Sequence, residues 1–316
     1  MSANDFNALV DLAMKAPGLA AMRPVVEKEI LHYDIFYALN QAGLLKGLVF
    51  QGGTSLRLCY GSNRFSEDLD FAGGRDFNAE RMREIKSCIE RHIGTCYGLN
   101  VSVREPSPGD GQQIERVSVA KWLVVVETSP ERPDIPRQTI KLKIANIPAY
   151  TRELVPLRVN YEFLEGMNDI LVPTETMSEI VADNVVAFPT SLVNADGSTV
   201  GLSSKKIRHR DIWDIAWLSS RRAALDTTMA ANKVTDYGIV GYDDLLDHAL
   251  NILPSVVRSS AFIDQMKRFI DAETLTKTLA APGYQDYLIG AVGSTLAAMR
   301  DAQSLASHQV KEVPNP

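Results

Sequence analysis

Residues Phe50 to Phe71 read F-Q-G-G-T-S-L-R-L-C-Y-G-S-N-R-F-S-E-D-L-D-F, and this window decides how the rest of the chain is read. Gly47-Leu48-Val49-Phe50 is a short apolar run of the buried-strand type. Gly52 and Gly53 follow it, and two glycines let the backbone turn sharply and bring N–H groups close to a ligand. Thr54 to Leu58 then read as the first turns of a helix, with Thr54 or Ser55 near its N-cap. A helix N-terminus offers unpaired N–H donors and a partial positive charge, which suits phosphate. The hydroxyls of Thr54 and Ser55 are expected to add donors, and Arg64 a cation. Gly52, Gly53, Thr54, Ser55 and Arg64 are therefore the candidate nucleotide-binding residues of this window.

Its second half carries two carboxylates. Side chains at i and i+2 of a strand share a face, so Asp68 and Asp70 project together while Leu69 and Phe71 enter the core. Adjacent carboxylates repel unless a cation lies between them, and hard oxygen ligands suit Mg²⁺ or Mn²⁺. Asp68 and Asp70 are the candidate metal ligands and catalytic residues. Gly-Gly-Thr alone is usually a turn, and Asp-x-Asp alone is usually a solvated strand end. In strand–turn–helix–loop–strand order the two together are far more specific, and they point to a bound nucleoside triphosphate and divalent metal.

Composition sets the outer bounds. The chain has 316 residues, a net charge of −6 and ordinary globular apolar content. That charge excludes a wholesale electrostatic attraction to nucleic acid but leaves room for a local basic patch. The three cysteines, Cys59, Cys88 and Cys96, lack metal-ligand spacing and suit a reducing compartment. No basic start with a long apolar core opens the sequence, and no apolar run reaches membrane-spanning length, so a cytoplasmic location without membrane contact is expected.

Residues from about Phe6 to Leu45 read as helices, and Asn78 to Ile93 as an amphipathic helix with Met82, Ile85 and Ile89 inward. Leu99 to Val103, Val117 to Glu127 and Gln138 to Ile144 read as strands, the last two as an antiparallel hairpin beside the strand of Asp68 and Asp70. Ser107 to Gln112 reads as a turn-rich loop and Lys311 to Pro316 as a frayed tail. Beyond about Pro173 the pattern is helical. Helices are expected over Glu175–Phe188, Asp211–Arg222, Tyr242–Leu253, Ser255–Ile270, Ala272–Ala280 and Tyr284–Ser304.

The signature resembles that of the AbiEii/AbiGii-type toxin family. The resemblance rests on Phe50–Leu56 and Arg64–Phe71. It continues through Lys141-Leu142-Lys143-Ile144-Ala145-Asn146, Glu179-Ile180-Val181-Ala182-Asp183 and Arg208-His209-Arg210-Asp211-Ile212-Trp213-Asp214. It implies an α/β nucleotidyltransferase fold with a small mixed β-sheet flanked by helices over residues 1–172, followed by an all-helical domain over 173–316. It implies nucleotide transfer from an NTP, an RNA acceptor such as the 3′ end of tRNA, and a toxin–antitoxin or phage-defence setting with abortive infection. A winged-helix antitoxin encoded alongside is the partner it implies. By the same resemblance Gly53 and Thr54 match the phosphate-binding turn, Asp68 and Asp70 the metal pair, and Asp211 a catalytic aspartate of the helical domain.

Two positions depart from the family pattern. Lys143 stands where members often carry an acid, and Asn184 where they usually carry a lysine expected to bind the triphosphate. Two readings of Lys143 stand open. A one-residue register slip would put it on the surface, or its ammonium replaces a metal charge in a site that binds nucleotide with little or no transfer. Glu127 is a candidate for supplying the missing acid. Lys205-Lys206-Ile207-Arg208-His209-Arg210 is the densest basic cluster, either a solvated loop or a contact for phosphates, with Lys205 and Arg210 as its candidate ligands. The three tryptophans read as core, and His32, His92, His248 and His308 as structural or surface residues.

Overall fold

The computed structural model describes residues 3–105, 113–114, 117–132 and 134–311. The turn-rich segment 107–112 and the tail beyond Lys311 lie outside the described residues. The chain divides into two compact units, Met1–Glu175 with Phe269–Glu273, and Thr176–Arg268 with Thr274–Pro316.

The first unit opens with α1 (Ala3–Ala13) and α2 (Arg23–Gln41), the latter started by Pro24 in its first turn, where the missing N–H is harmless. β1 (Val49–Gln51), a four-residue α3 (Gly52–Ser55) and β2 (Leu69–Ala72) follow. Next come α4 (Ala79–Tyr97), β3 (Val101–Arg104), β4 (Gln113–Ile114), β5 (Val117–Val126), β6 (Gln138–Ala145), β7 (Glu153–Pro156) and β8 (Leu171–Thr174). The strands form one mixed sheet in the order β3-β5-β6-β2-β1-β8-β7, with β4 on β5. The expected β5–β6 hairpin is antiparallel, and β6 lies parallel to β2.

Alternation builds this sheet. Leu69 and Phe71 of β2, Trp122, Val124 and Val126 of β5, and Ile140, Leu142 and Ile144 of β6 are buried on one face. Helices α2 and α4 supply Val26, Ile30, Phe36, Met82, Ile85 and Ile89 to the same core. Phe36, Phe50 and Phe71 meet there, with ring centroids 4.7 Å apart for Phe36–Phe50 and 5.1 Å for Phe50–Phe71. Each such buried ring contributes roughly 2–3 kcal/mol of hydrophobic stabilisation. The other face carries Asp70 of β2 and Lys141 and Lys143 of β6, with Asp68 just before β2. Asn78 caps α4 by accepting a hydrogen bond from the Arg81 N–H, and Gly98 ends it in a left-handed turn at φ +62°.

The second unit is helical: α5 (Met177–Thr190), α6 (His209–Ser220), α7 (Thr227–Asp236), α8 (Tyr242–Val257), α9 (Ser260–Lys267) and α11 (Tyr284–Lys311), with α10 (Ala272–Lys277) between the last two in sequence. Thr176 caps α5, its hydroxyl accepting from the Glu179 N–H three residues on. The Tyr242 hydroxyl ties α8 to α5 through the Val185 carbonyl at 2.8 Å.

Several boundaries differ from the sequence reading. The helix expected from Thr54 starts at Gly52 with Gln51 at its N-cap, and after four residues it widens into a π-turn over Leu56–Tyr60. So short a helix has little dipole to offer an anion. The break expected at Pro254 falls instead after Val257, where the Ser259 hydroxyl caps α9, and Pro254 sits inside α8. The short strands β7 and β8 and the helix α7 were not expected from the sequence.

Candidate active site

Strand pairing sets the centre of the site. In the parallel β2–β6 ladder Asp70 stands directly opposite Lys143. The one-residue slip that would put Lys143 elsewhere is therefore not what the chain adopts. Lys143 Nζ donates to Asp68 Oδ2 and to Asp70 Oδ1, each at 3.0 Å. The three side chains are 27%, 16% and 27% exposed for Lys143, Asp68 and Asp70, so they form a half-buried cluster open to solvent. Burial works against the Lys143 charge, but Asp70 and Asp68 outweigh it and hold the ammonium above its ordinary pKa.

The glycine turn abuts this cluster. Gly52 sits at φ +75°, where a side chain would be strained, and a Cβ there would lie 3.5 Å from Asp70 Oδ2. Asp70 thus spans the gap, with one oxygen on Lys143 and the other toward the turn. Gly53 is a glycine for a different reason: a Cβ would lie 1.9 Å from Arg64 Nη2. The Arg64 guanidinium is buried with Nη2 pointing at the turn, and it donates through Nη1 to the Phe65 carbonyl at 3.0 Å.

The two hydroxyls of the turn face inward. Thr54 Oγ1 donates to the Asp68 carbonyl, and Ser55 Oγ donates to the Gly52 carbonyl at 2.7 Å. Both residues are buried, so their hydroxyls shape the turn and the start of β2. The segment before Asp68 is held by Lys28, paired with Glu67 at 2.6 Å, and by His32, whose Nε2 meets the Glu67 carbonyl at 3.2 Å. Glu127 does not supply an acid here. It pairs with Asn100 at 3.0 Å and Arg137 at 3.6 Å. Just past the end of β5, it lies six residues from Lys121, the cross-strand partner of Lys143, which is about 20 Å of extended chain.

The helical unit holds the other candidates. Asp211 lies in the first turn of α6, buried, and accepts a charge-assisted hydrogen bond from Arg208 Nε. Burial pushes its carboxyl up, against the pull of Arg208. Lys205 is exposed, and Arg210 is half-buried. Asn184 is buried on α5, and its Nδ2 has no hydrogen-bond acceptor among the described residues. One residue along, the helix does receive a lysine: buried Lys233 of α7 pairs with Glu179 at 2.8 Å and Asp183 at 2.7 Å. The sequence reading missed Lys233 because a buried lysine reads in sequence like any exposed one. The acidic i,i+4 pair Glu179/Asp183 on an apolar helix was the signal that a buried cation must come from elsewhere.

The family model for the AbiEii nucleotidyl transferase toxin, a type IV toxin–antitoxin system, matches residues 34–289 of the chain. The chain belongs to this family. It is accordingly a nucleotidyltransferase toxin of a type IV toxin–antitoxin family. Among solved structures, MenT4, a nucleotidyltransferase toxin from Mycobacterium tuberculosis H37Rv, aligns with a TM-score of 0.54 at 16% identity over 92% of this chain and 89% of that one. JHP933 from Helicobacter pylori aligns with a TM-score of 0.46 at 18% identity over 91% of this chain and 96% of that one. No curated protein matches the chain. The MenT4 likeness shows the nucleotidyltransferase fold that the family resemblance implied. No helix among the described residues is long and apolar enough to cross a membrane.

Proposed function

We propose that the cluster of Asp68, Asp70 and Lys143 is where this toxin transfers a nucleotide from an NTP to an acceptor hydroxyl, with an RNA 3′ end such as that of tRNA as acceptor. The supporting observation is the placement of two carboxylates and one ammonium, half-buried, against a glycine turn in which Gly52 comes within contact distance of Asp70 and Gly53 makes room for the Arg64 guanidinium. In the transfer, a bond forms between the acceptor oxygen and the α-phosphorus, the bond to the β-phosphate bridge breaks, pyrophosphate leaves, and the acceptor hydroxyl's proton passes to water. The backbone of Gly52 and Gly53 approaches the triphosphate, and buried Arg64 behind Gly53 lends positive charge. The inward hydroxyls of Thr54 and Ser55 keep the turn in shape.

The donor set fits a divalent cation. Asp68 and Asp70 give hard carboxylate oxygens, and each engages Lys143 through only one oxygen. A single Mg²⁺ or Mn²⁺ held by these two residues would neutralise charge on the triphosphate and polarise it. Among the described residues no group of three or more acidic, histidine or cysteine side chains gathers for a larger cage. Lys143 lends the charge that orients Asp68 and Asp70 toward one another.

In this reading residues 1–172 act as the nucleotidyltransferase domain and 173–316 as the helical domain. Lys205 and Arg210 serve as cationic contacts for phosphate, and Asp211 as an acidic residue of the reaction. The protein works in the cytoplasm and away from membranes, within a phage-defence module that ends in abortive infection. A winged-helix antitoxin encoded alongside restrains it. The test incubates the purified protein with each α-labelled NTP and total RNA. Label on RNA that disappears with Asp68→Ala supports the reading; no Asp68-dependent label with any NTP or metal overturns it.

Lys143 itself favours a second reading, in which the chain binds nucleotide with little transfer and acts as a sensor or interaction protein. NTP-raised thermal stability without turnover, and turnover gained by Lys143→Glu with Asn184→Lys, would support it. Ready turnover by the unaltered chain would rule it out.

A further inference from the structure

We propose that Lys143 is the second cation of the nucleotide site: it occupies the bridging position between Asp68 and Asp70, contacts the triphosphate directly, and leaves the centre with one divalent metal. This inference rests on the nucleotidyl-transfer reading and adds to it a metal stoichiometry and a phosphate ligand.

Geometry carries the first half. The ammonium is equidistant, at 3.0 Å, from one oxygen of each carboxylate. That bridging place between two carboxylates is where an ion would sit in a site built for two metals. The position is not an accident of a long, loose side chain. Backbone pairing of Asp70 with Lys143 fixes the lysine beside the pair, and the next residue outward on the same face is Lys121, paired across to Lys143 from β5. A second cation behind the first keeps Lys143 from swinging that way, because like charges repel.

Charge balance points the same way. Two carboxylates and one ammonium leave the cluster at minus one, which a single divalent ion turns to plus one. With a carboxylate in place of Lys143 the cluster would stand at minus three, and two divalent ions would be needed to reach the same plus one. The lysine therefore presents the triphosphate with the same net charge while using one metal fewer.

Donor counting supplies the phosphate contact. A lysine ammonium has three N–H donors and no acceptor. Two are used on Asp68 and Asp70. The third has no protein acceptor among the described residues, and the side chain keeps about a quarter of its surface open. A phosphate oxygen completes that set.

The experiment titrates Mn²⁺ into the full chain with an α,β-methylene NTP analogue and counts bound metal by electron paramagnetic resonance. The unaltered chain is expected to take one Mn²⁺, Lys143→Arg one, and Lys143→Glu two. In EDTA, without metal, the unaltered chain still binds the analogue, and Lys143→Met binds it on the order of tenfold to a hundredfold more weakly, as expected for one lost charge-assisted hydrogen bond. Circular dichroism checks that each variant folds. Two Mn²⁺ on the unaltered chain, one on folded Lys143→Glu, or equal analogue binding by Lys143→Met in EDTA would each overturn the role of Lys143 and leave nucleotidyl transfer standing. Failure of every variant to bind the analogue, with or without metal, would overturn both.

Discussion

Replacing Asp34 with asparagine should make the protein more stable at neutral and alkaline pH than it is now, and the gain should vanish in acid. Asp34 is buried on α2, where the Tyr97 hydroxyl donates to its two oxygens at 3.0 and 3.2 Å and His92 Nε2 stands 4.0 Å away. Burial pushes its carboxyl up to about 7, and the Tyr97 hydrogen bond only partly offsets that. The unfolded chain ionises near 4, so between about pH 4 and pH 7 the unfolded state has released a proton that the folded state still holds. Stability is therefore lost as pH rises through that window. A gap of about three units corresponds to roughly 4 kcal/mol once both states are ionised, and about 2.5 kcal/mol of it opens between pH 5 and pH 8. Asparagine keeps an oxygen for Tyr97 and has no proton to lose. The assay is urea unfolding of both proteins at steps across pH 5–8, following the transition of the first unit. His32, held down to about 4 by burial, adds an opposite slope as pH falls below its ordinary value, but it is common to both proteins and cancels in their difference. Curves for Asp34→Asn and the unaltered chain that stay parallel within about 0.5 kcal/mol across the range would refute the reasoning, because Asp34 would then be ionised in the folded state.

Lys233→Met should strand the buried carboxylate of Glu179 and destabilise the helical unit by about 3–5 kcal/mol, while Lys233→Met with Glu179→Gln recovers much of that; calorimetry reads both, and equal losses for the single and double variants would contradict the pairing. Gly53→Ala must expel the Arg64 guanidinium from the turn, since the added carbon would lie 1.9 Å from Nη2. It should lower stability by about 1–3 kcal/mol and shrink the thermal shift caused by NTP, and a full-sized NTP shift would show that Arg64 has no part in binding.

The sequence made the sheet face of Asp68 and Asp70 readable because strand alternation is local: Leu69 and Phe71 are apolar and buried, and Asp68 and Asp70 alternate with them. The same locality reveals α4, whose Met82, Ile85 and Ile89 all face the core. What faces Asp70 across the sheet is a different matter. The β2–β6 pairing joins residues 73 positions apart in a parallel ladder, and no local pattern distinguishes its register from a one-residue slip. The inward turn of the Thr54 and Ser55 hydroxyls also follows from packing, since their acceptors are carbonyls brought near by the fold. β7 and β8 escaped notice because each is four residues long and carries a proline, Pro156 and Pro173. Lys233 escaped because a buried lysine reads in sequence like any exposed one, and only Glu179 and Asp183 give it a reason to be inside.

Pyrophosphate release in the presence of NTP and RNA, measured for the unaltered chain and Asp70→Asn, tests the reaction centre most directly. The substitution keeps the size of the side chain and removes the charge that meets Lys143. The expected result is a rate lower on the order of a hundredfold to a thousandfold, with an unchanged unfolding midpoint. An Asp70→Asn protein that releases pyrophosphate as fast as the unaltered chain would place the chemistry somewhere other than the Asp68–Asp70–Lys143 cluster.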